Sequence, residues 1–175
     1  MIRKMEVFLI TGGPNTGKTT LIRSIAEWLL SRDLKYTKVR ESNICSWDFM
    51  TPNSDFSIMV SNRERNILIH SATDDTFCMN ALKEFLETLK SENIDIDILI
   101  TTCRRYDDNL RTEMCKKFGW TSKEGYELLD CDNKAIMEVP LHHIRYDNFE
   151  TTYRWQKLNM ERMIKRILQN PPYNI

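Results

Sequence analysis

The sequence predicts an α/β protein, a three-layer α/β/α sandwich around a mostly parallel sheet with one antiparallel hairpin strand. Three observations carry that expectation. Short apolar runs alternate along the chain with longer segments whose apolar residues recur at helical spacing. The run Ile96-Asp97-Ile98-Leu99-Ile100 suits a buried parallel strand. Two further runs, Phe56–Val60 and Ile67–His70, are separated by the polar stretch Ser61–Asn66 and read as an antiparallel hairpin. Right-handed crossovers between parallel strands then place helices on both faces. A length of 175 residues suits one domain with a full core, so residues 1–175 are expected to fold as a unit.

The elements follow in order. Glu6–Ile10 is the first strand, and a helix runs from Lys18 to about Ser31. Its Leu21, Ile22, Ile25, Trp28 and Leu29 give an apolar surface wide enough to pack against a sheet and a second neighbour. Tyr36–Arg40 is a short strand ending in Glu41-Ser42, before a mixed loop with Trp47, Phe49 and Pro52. The hairpin's turn is longer than a tight I′ turn, so its register stays open. Thr76–Lys90 is a helix with Phe77, Ala81, Leu82, Phe85, Leu86 and Leu89 on one stripe. Leu110–Phe118 is a shorter helix, stopped near Gly119. Tyr126–Arg145 is ambiguous, with Ala135–Val139 its best strand before Pro140.

The last helix starts near Asp147-Asn148-Phe149-Glu150, an acid with a Glu three residues on, and ends at Gln169 before Asn170-Pro171-Pro172. Tyr153, Met160, Met163, Ile164, Ile167 and Leu168 share one face, and Trp155, Leu158, Arg162, Lys165 and Arg166 the other. Two readings of that second face stay open. It is a solvated basic surface, or it docks a protein partner, because Trp155 and Leu158 lie off the core stripe.

Lys+Arg and Asp+Glu both number 25, so the net charge is zero. That argues against a nucleic-acid protein working through a global basic field. The N-terminal residues run straight into the first strand, with no signal peptide and no apolar stretch long enough to span a bilayer. A cytoplasmic protein with no membrane association is expected. The five cysteines are widely spaced, and none forms a C-x-x-C pair. They read as reduced, mostly packing thiols.

Three of the five glycines fall between Gly12 and Thr19. Gly12-Gly13-Pro14-Asn15-Thr16-Gly17-Lys18-Thr19 is G-x-x-x-x-G-K-T, with Thr20 next in the helix. A strand delivers this loop and a helix leaves it. Gly12 and Gly17 let the backbone bend so that successive N–H groups point into one cavity. The helix start adds its positive dipole end to those donors. Lys18 supplies a mobile charge for β- and γ-phosphates, and the Thr19 hydroxyl can ligate Mg²⁺.

Such a loop needs an acidic partner to orient Mg²⁺ or the attacking water, usually at the end of the strand beside the loop's own strand. Ile67–His70 is followed by Ser71-Ala72-Thr73-Asp74-Asp75, so the acids lie a few residues past the strand. Asp74 and Asp75 are both candidates for catalysis, with Asp74 favoured and assigned to the metal. The alternative is that either one only caps the helix that follows. Ile96–Ile100 leads into Thr101-Thr102-Cys103-Arg104-Arg105-Tyr106-Asp107-Asp108. That is the sheet edge where ligands bind in open α/β folds. Arg104 or Arg105 can contact phosphate, stack on a base or stabilise transition-state charge, or simply pair with Asp107 or Asp108. Arg104 is the candidate catalytic arginine. His142-His143 has no Cys or acid nearby at metal-ligand spacing, so no metal site is expected there.

On the loop Gly12–Thr19 and the order of elements, the chain resembles the P-loop NTPase superfamily. The order (strand, loop, helix, strand, hairpin strand, acidic loop, helix, strand) is similar to that of small switch GTPases and related small ATPases. More narrowly, Ser71-Ala72-Thr73-Asp74 after the hairpin and Thr102-Cys103-Arg104-Arg105 after the next strand resemble a group of small bacterial or phage ATP-binding proteins. The resemblance covers residues 6 to about 115 well and the C-terminal third poorly. It implies a nucleotide-binding fold and not a substrate. Guanine-specific relatives carry Asn-Lys-x-Asp after the strand that here ends near Thr101, and this chain does not, so ATP is the expected nucleotide, or little preference between bases.

Three functions follow. The first is a Mg²⁺-dependent ATPase or switch, with Asp74-Asp75 sensing the γ-phosphate and the hairpin and the Glu41–Asp55 loop moving with nucleotide state. The second is a small-molecule or nucleotide kinase, with Arg104, Arg105 and Arg111 as lid arginines. Against it, Glu41–Asp55 is short for an acceptor site. The third is a binding module with a structural loop, which the intact Lys18-Thr19 pair disfavours.

Overall fold

A computed structural model of the chain describes residues 5–32, 36–42, 48–52, 54–105, 108–122, 129–131, 134–142 and 149–175. The elements run β1 (Glu6–Gly12), α1 (Lys18–Ser31), β2 (Thr37–Glu41), β3 (Ser57–Ser61), β4 (Asn66–His70), α2 (Thr76–Ser91) and β5 (Ile98–Cys103). Then come α3 (Asn109–Phe118), β6 (Thr121–Ser122), β7 (Leu129–Cys131), β8 (Lys134–Ala135), β9 (Met137–Leu141) and α4 (Phe149–Leu168). The fold is α/β, built on a six-stranded sheet of order β2-β3-β4-β5-β1-β9. β4, β5, β1 and β9 run parallel, while β3 is antiparallel to both β2 and β4. β3 is therefore the reversed strand of this sheet.

Side chains alternate across the sheet as strand geometry requires. Phe8 and Ile10 of β1 join one buried cluster with Leu21, Ile22, Ile25 and Leu29 of α1 and Ile164 and Leu168 of α4. Val7 and Leu9 join a second cluster with Met79, Leu82, Phe85 and Leu89 of α2 and Met114 of α3. β5 is buried along its whole length, as an apolar central strand should be. The chain end closes the first cluster. Tyr173 donates its hydroxyl to the Val7 carbonyl at 2.8 Å and meets Phe8 edge-on.

Sequence and structure differ at several points. The strand beside β1 is β5, with Val7 opposite Leu99, and not the hairpin strand β4. β5 is buried at every position, as the slot between β4 and β1 demands. Phe77 is 60 % exposed, because it lies off the α2 face that buries Cys78, Leu82, Phe85 and Leu89. Met163 is also exposed, so among the described side chains the α4 core stripe holds Ile164 and Leu168, with Met160 and Ile167 partly covered; the Tyr153 side chain lies outside the described residues. Pro140 lies inside β9 rather than ending it. β9 is an edge strand, where a missing N–H costs no ladder bond on the open side. Within the stretch that is ambiguous in sequence, β7 and β8 pair with β6 as a separate three-stranded sheet before β9. Asp147 and Asn148, the expected start of α4, lie outside the described residues.

Candidate phosphate-binding site

β1 delivers residues 12–17 to the start of α1 through a tight corner. Gly12 is where that corner requires glycine. A Cβ there would lie 2.6 Å from Thr16 Oγ1 and 3.0 Å from the Leu141 carbonyl oxygen, the second of which is backbone. Asn15 and Gly17 take left-handed conformations, with φ of 57° and 87°. Gly17 is the N-cap of α1 and brings no capping side chain, and no acid occupies the first turn. The positive end of α1 is thus uncompensated by the helix's own side chains. Pro14 and Asn15 are exposed, while Thr16, Gly17, Thr19 and Thr20 are half-buried.

Lys18 is buried at 5 % exposure. Its ammonium donates to the Gly13 carbonyl at 2.8 Å, to which Thr16 Oγ1 also donates at 3.0 Å. It lies 3.6 Å from Asp74 Oδ1. Burial pulls the Lys18 pKa down from the usual lysine value, the Asp74 carboxylate opposes that shift, and Arg104 adds to it. Asp74 is itself 57 % exposed and bridges Lys18 to Arg104, whose guanidinium is 3.3 Å away.

The two adjacent acids have separate places. Asp75 is the N-cap of α2, and its carboxylate accepts from the Cys78 N–H at 2.7 Å. That bond holds its pKa below the usual carboxylate value. The structure does not bring Asp75 to Lys18. Asp74 arrives there through a network under the 71–74 segment. Thr102 Oγ1, at the end of β5, donates to the Ser71 carbonyl at 3.0 Å and lies 2.7 Å from Thr73 Oγ1. The central strand therefore sets the position of a loop that leaves its neighbour.

The structure adds Asp55, which the sequence does not single out. Its Oδ1 accepts from Ser71 Oγ at 3.0 Å and from Thr19 Oγ1 at 3.5 Å. Burial raises its pKa above the usual aspartate value, Asp74 adds to the rise, and the Ser71 and Thr19 hydrogen bonds oppose it. Arg23 of α1 holds this segment. Its guanidinium donates to the Phe49 carbonyl and, at 2.6 Å, to the Ser54 carbonyl. It also lies over the rings of Phe49 and Phe56, which meet edge-on at 4.9 Å. The available sequence signal is an acid directly before a hairpin strand. Because β3 is antiparallel, its first residues lie at the sheet edge where β4 and β5 end.

The arginines also divide. Arg104 is at the site, and Arg105 is exposed. Arg111 is buried and donates to Glu138 Oε1 at 2.6 Å and to the Arg104 carbonyl at 3.3 Å. It is committed to the fold and is not a lid arginine. Asp108 caps α3 through the Leu110 N–H rather than pairing with Arg104. Trp47, Tyr106, Asp107 and His143 lie outside the described residues, and His142 is exposed.

Among the described residues no group of three His, Cys, Asp or Glu side chains is placed to hold a metal by itself, and no helix is long and apolar enough to cross a membrane. Cys78, Cys103 and Cys115 are free thiols. A small open cleft adjoins the loop between α1 and α4. Comparison of the chain with protein-family models, with curated proteins and with solved structures finds no match.

Proposed function

We propose that this chain is a P-loop NTPase, a three-layer α/β/α sandwich that binds ATP with Mg²⁺ at residues 12–20 and acts as a small cytoplasmic ATPase or nucleotide-dependent switch. The observation that carries the reading is the convergence on one helix start. The uncapped first turn of α1, buried Lys18, Arg104, Thr19 and two carboxylates from different loops meet at one sheet edge. Backbone N–H groups of the corner and the helix dipole suit a polyanion. Lys18 would exchange the Gly13 carbonyl and Asp74 for phosphate oxygens, a charge-assisted gain.

Thr19 and Asp55 offer hard oxygen donors on one side of Lys18, the type of donor Mg²⁺ takes alongside phosphate and water. Bound there, Mg²⁺ supplies neutralisation of phosphate charge. Asp55 and Asp74 orient the attacking water, and Arg104 stabilises charge on the transferring group. Asp75 keeps a structural role. ATP is preferred over GTP because no Asn-Lys-x-Asp follows β5.

A kinase is the second reading, favoured by one feature. Asp55 is a half-buried acid of raised pKa, suited to take a proton from an acceptor hydroxyl. The test of the whole reading is calorimetry with Mg²⁺–ATP. Lys18→Ala should weaken binding by about a hundredfold, the scale expected when a buried site gives up a charge-assisted hydrogen bond. Thr19→Ala should chiefly abolish the Mg²⁺ dependence. Unchanged affinity in Lys18→Ala would sink the proposal.

A further inference from the structure

We infer that Arg111 is a positioning residue for Arg104: with Glu138 it forms a clamp across β1 that fixes Arg104 at the phosphate site. This inference rests on the phosphate-site reading above and adds to it two residues that need touch no ligand.

The order β5-β1-β9 puts the strand that delivers the loop between two neighbours. Glu138 lies in β9, opposite Leu9 of β1. Arg104 follows Cys103, the last residue of β5, which lies opposite Thr11 of β1. Arg111 reaches both from the first turn of α3. One arm of its guanidinium donates to Glu138 Oε1 at 2.6 Å, and the other to the Arg104 carbonyl at 3.3 Å. A single planar fork thus ties together the chain on either side of β1.

Arg104 needs such a hold. It stands past the end of β5, where pairing with β1 no longer sets its backbone. Its side chain is 11 % exposed, yet its polar contacts are few and long. Nη2 lies 3.3 Å from Asp74 Oδ1 and 3.5 Å from the Asp74 carbonyl, and Nε is buried with no hydrogen-bond partner among the described residues. Both contacts go to one exposed residue. The guanidinium is therefore aimed by its backbone and its packing, and Arg111 grips that backbone at the carbonyl.

Stability alone does not account for the pair. Arg111 and Glu138 are both largely withdrawn from water. Desolvation offsets much of the attraction between such charges, and apolar residues of similar volume often serve a fold as well. An apolar pair cannot supply a donor for the Arg104 carbonyl. Glu138 also neutralises Arg111, so the hold adds no net charge beside Lys18 and Arg104. A group that stabilises transition-state charge must be placed closely, since a shift of about 1 Å can cost about a hundredfold in rate.

The experiment measures ATP hydrolysis by phosphate release, Mg²⁺–ATP affinity by calorimetry and urea midpoints. Arg104→Ala should lower kcat about a hundredfold. The double variant Arg111→Met, Glu138→Leu should keep its urea midpoint close to wild type and its ATP affinity within about threefold, and lose at least tenfold in kcat. Adding Arg104→Ala to that double variant should cost no more than about twofold below Arg104→Ala alone, because the clamp acts only through Arg104. If the double variant does not fold, Arg111→Lys decides. It keeps the charge beside Glu138 but lacks the second arm of the fork, and kcat should fall at least fivefold. The inference is overturned if the clamp variant hydrolyses at the wild-type rate, or if its loss multiplies in full with that of Arg104→Ala. Wild-type protein that binds ATP without hydrolysing it overturns this inference alone. Wild-type protein that binds no ATP, or binds it no better than Lys18→Ala does, removes the phosphate-site reading as well.

Discussion

The hydroxyl of Thr19 lies 3.5 Å from Oδ1 of Asp55, across 36 residues of sequence. The two meet because β3 runs opposite to its neighbours. A reversed strand begins where parallel strands end, so Asp55, two residues before β3, reaches the start of α1. Asp55 is held against both its burial and the nearby Asp74 charge. Its ionisation is disfavoured in the folded chain relative to the unfolded one. Between the usual aspartate pKa and the raised folded value, the folded state binds more protons, so stability falls as pH rises through that window. Asp55→Asn removes this cost while keeping hydrogen-bond partners for Ser71 and Thr19. The unliganded variant should be more stable than wild type at neutral pH, by up to about 1 kcal/mol for a partly solvated site. Its ATP hydrolysis should fall at least tenfold, as expected for loss of a group acting in the transition state. Thermal melts at two pH values and phosphate release check the two halves separately. A destabilised variant with normal hydrolysis would contradict both.

Asp74 and Asp75 are neighbours with different duties, and alanine separates them. Asp75→Ala removes the α2 cap and should cost about 1 kcal/mol of stability with little effect on hydrolysis. Asp74→Ala breaks only the ion pairs of an exposed carboxylate with Lys18 and Arg104, worth about 0–1 kcal/mol. It should nevertheless reduce hydrolysis at least tenfold, because the carboxylate faces the lysine at the loop. The check is urea denaturation beside a phosphate-release assay. Equal effects of both variants on both measurements would show that the two acids act as one unit.

The loop and its helix are legible in the sequence because their chemistry is local. Gly12, Gly17, Lys18 and Thr19 are fixed by a corner of a few residues, and the Lys18–Ser31 helix has the expected bounds. Asp74 is legible in part. Its distance from β4 is as expected, but which strand lies next to β1 depends on burial over the whole sheet. Asp55 is not legible. An acid before a hairpin strand is its one local signal, and it meets Thr19 only once strand directions are set. Arg111 fails for the opposite reason. Its place near the site edge suggests a lid arginine, while its buried pairing with Glu138 depends on where β9 lands. The β6-β7-β8 sheet uses strands of two or three residues, too short for a period-2 pattern to register.

His70 ends β4 and is fully buried, with Nε2 against the Ala72 carbonyl under the 71–74 segment. Burial lowers its pKa to about 4. The sign follows from linkage. Between the ordinary histidine value and about 4, the unfolded chain binds a proton that the folded chain refuses. The stability from a neutral His70 is complete above the unfolded pKa and is lost as pH falls towards 4, by about 3 kcal/mol at most. Denaturation midpoints should drop steeply over that interval. A His70→Gln variant should show a flatter acid limb, even if it is less stable throughout. A wild-type curve that is flat between pH 6.5 and 4 would be evidence against a buried neutral imidazole.

The choice between switch and kinase turns on Arg23. Its guanidinium ties α1 to Phe49 and Ser54, and so fixes the segment that carries Asp55. A switch requires that segment to take two arrangements, one of them stabilised by the γ-phosphate. Cleavage by a protease near Phe49, which is buried without ligand, should then differ between ATP- and ADP-bound protein. Arg23→Ala should raise cleavage in every state and reduce the difference between them. Hydrolysis should fall about tenfold as Asp55 loses its support, with a smaller change in ATP affinity. A kinase makes the opposite demands. It keeps the segment fixed, hydrolyses ATP slowly alone because water is excluded, and accelerates only with its acceptor. Cleavage that ignores nucleotide state, together with phosphate transfer to a nucleoside monophosphate or a sugar, would assign Asp55 the role of general base and replace the switch with the kinase.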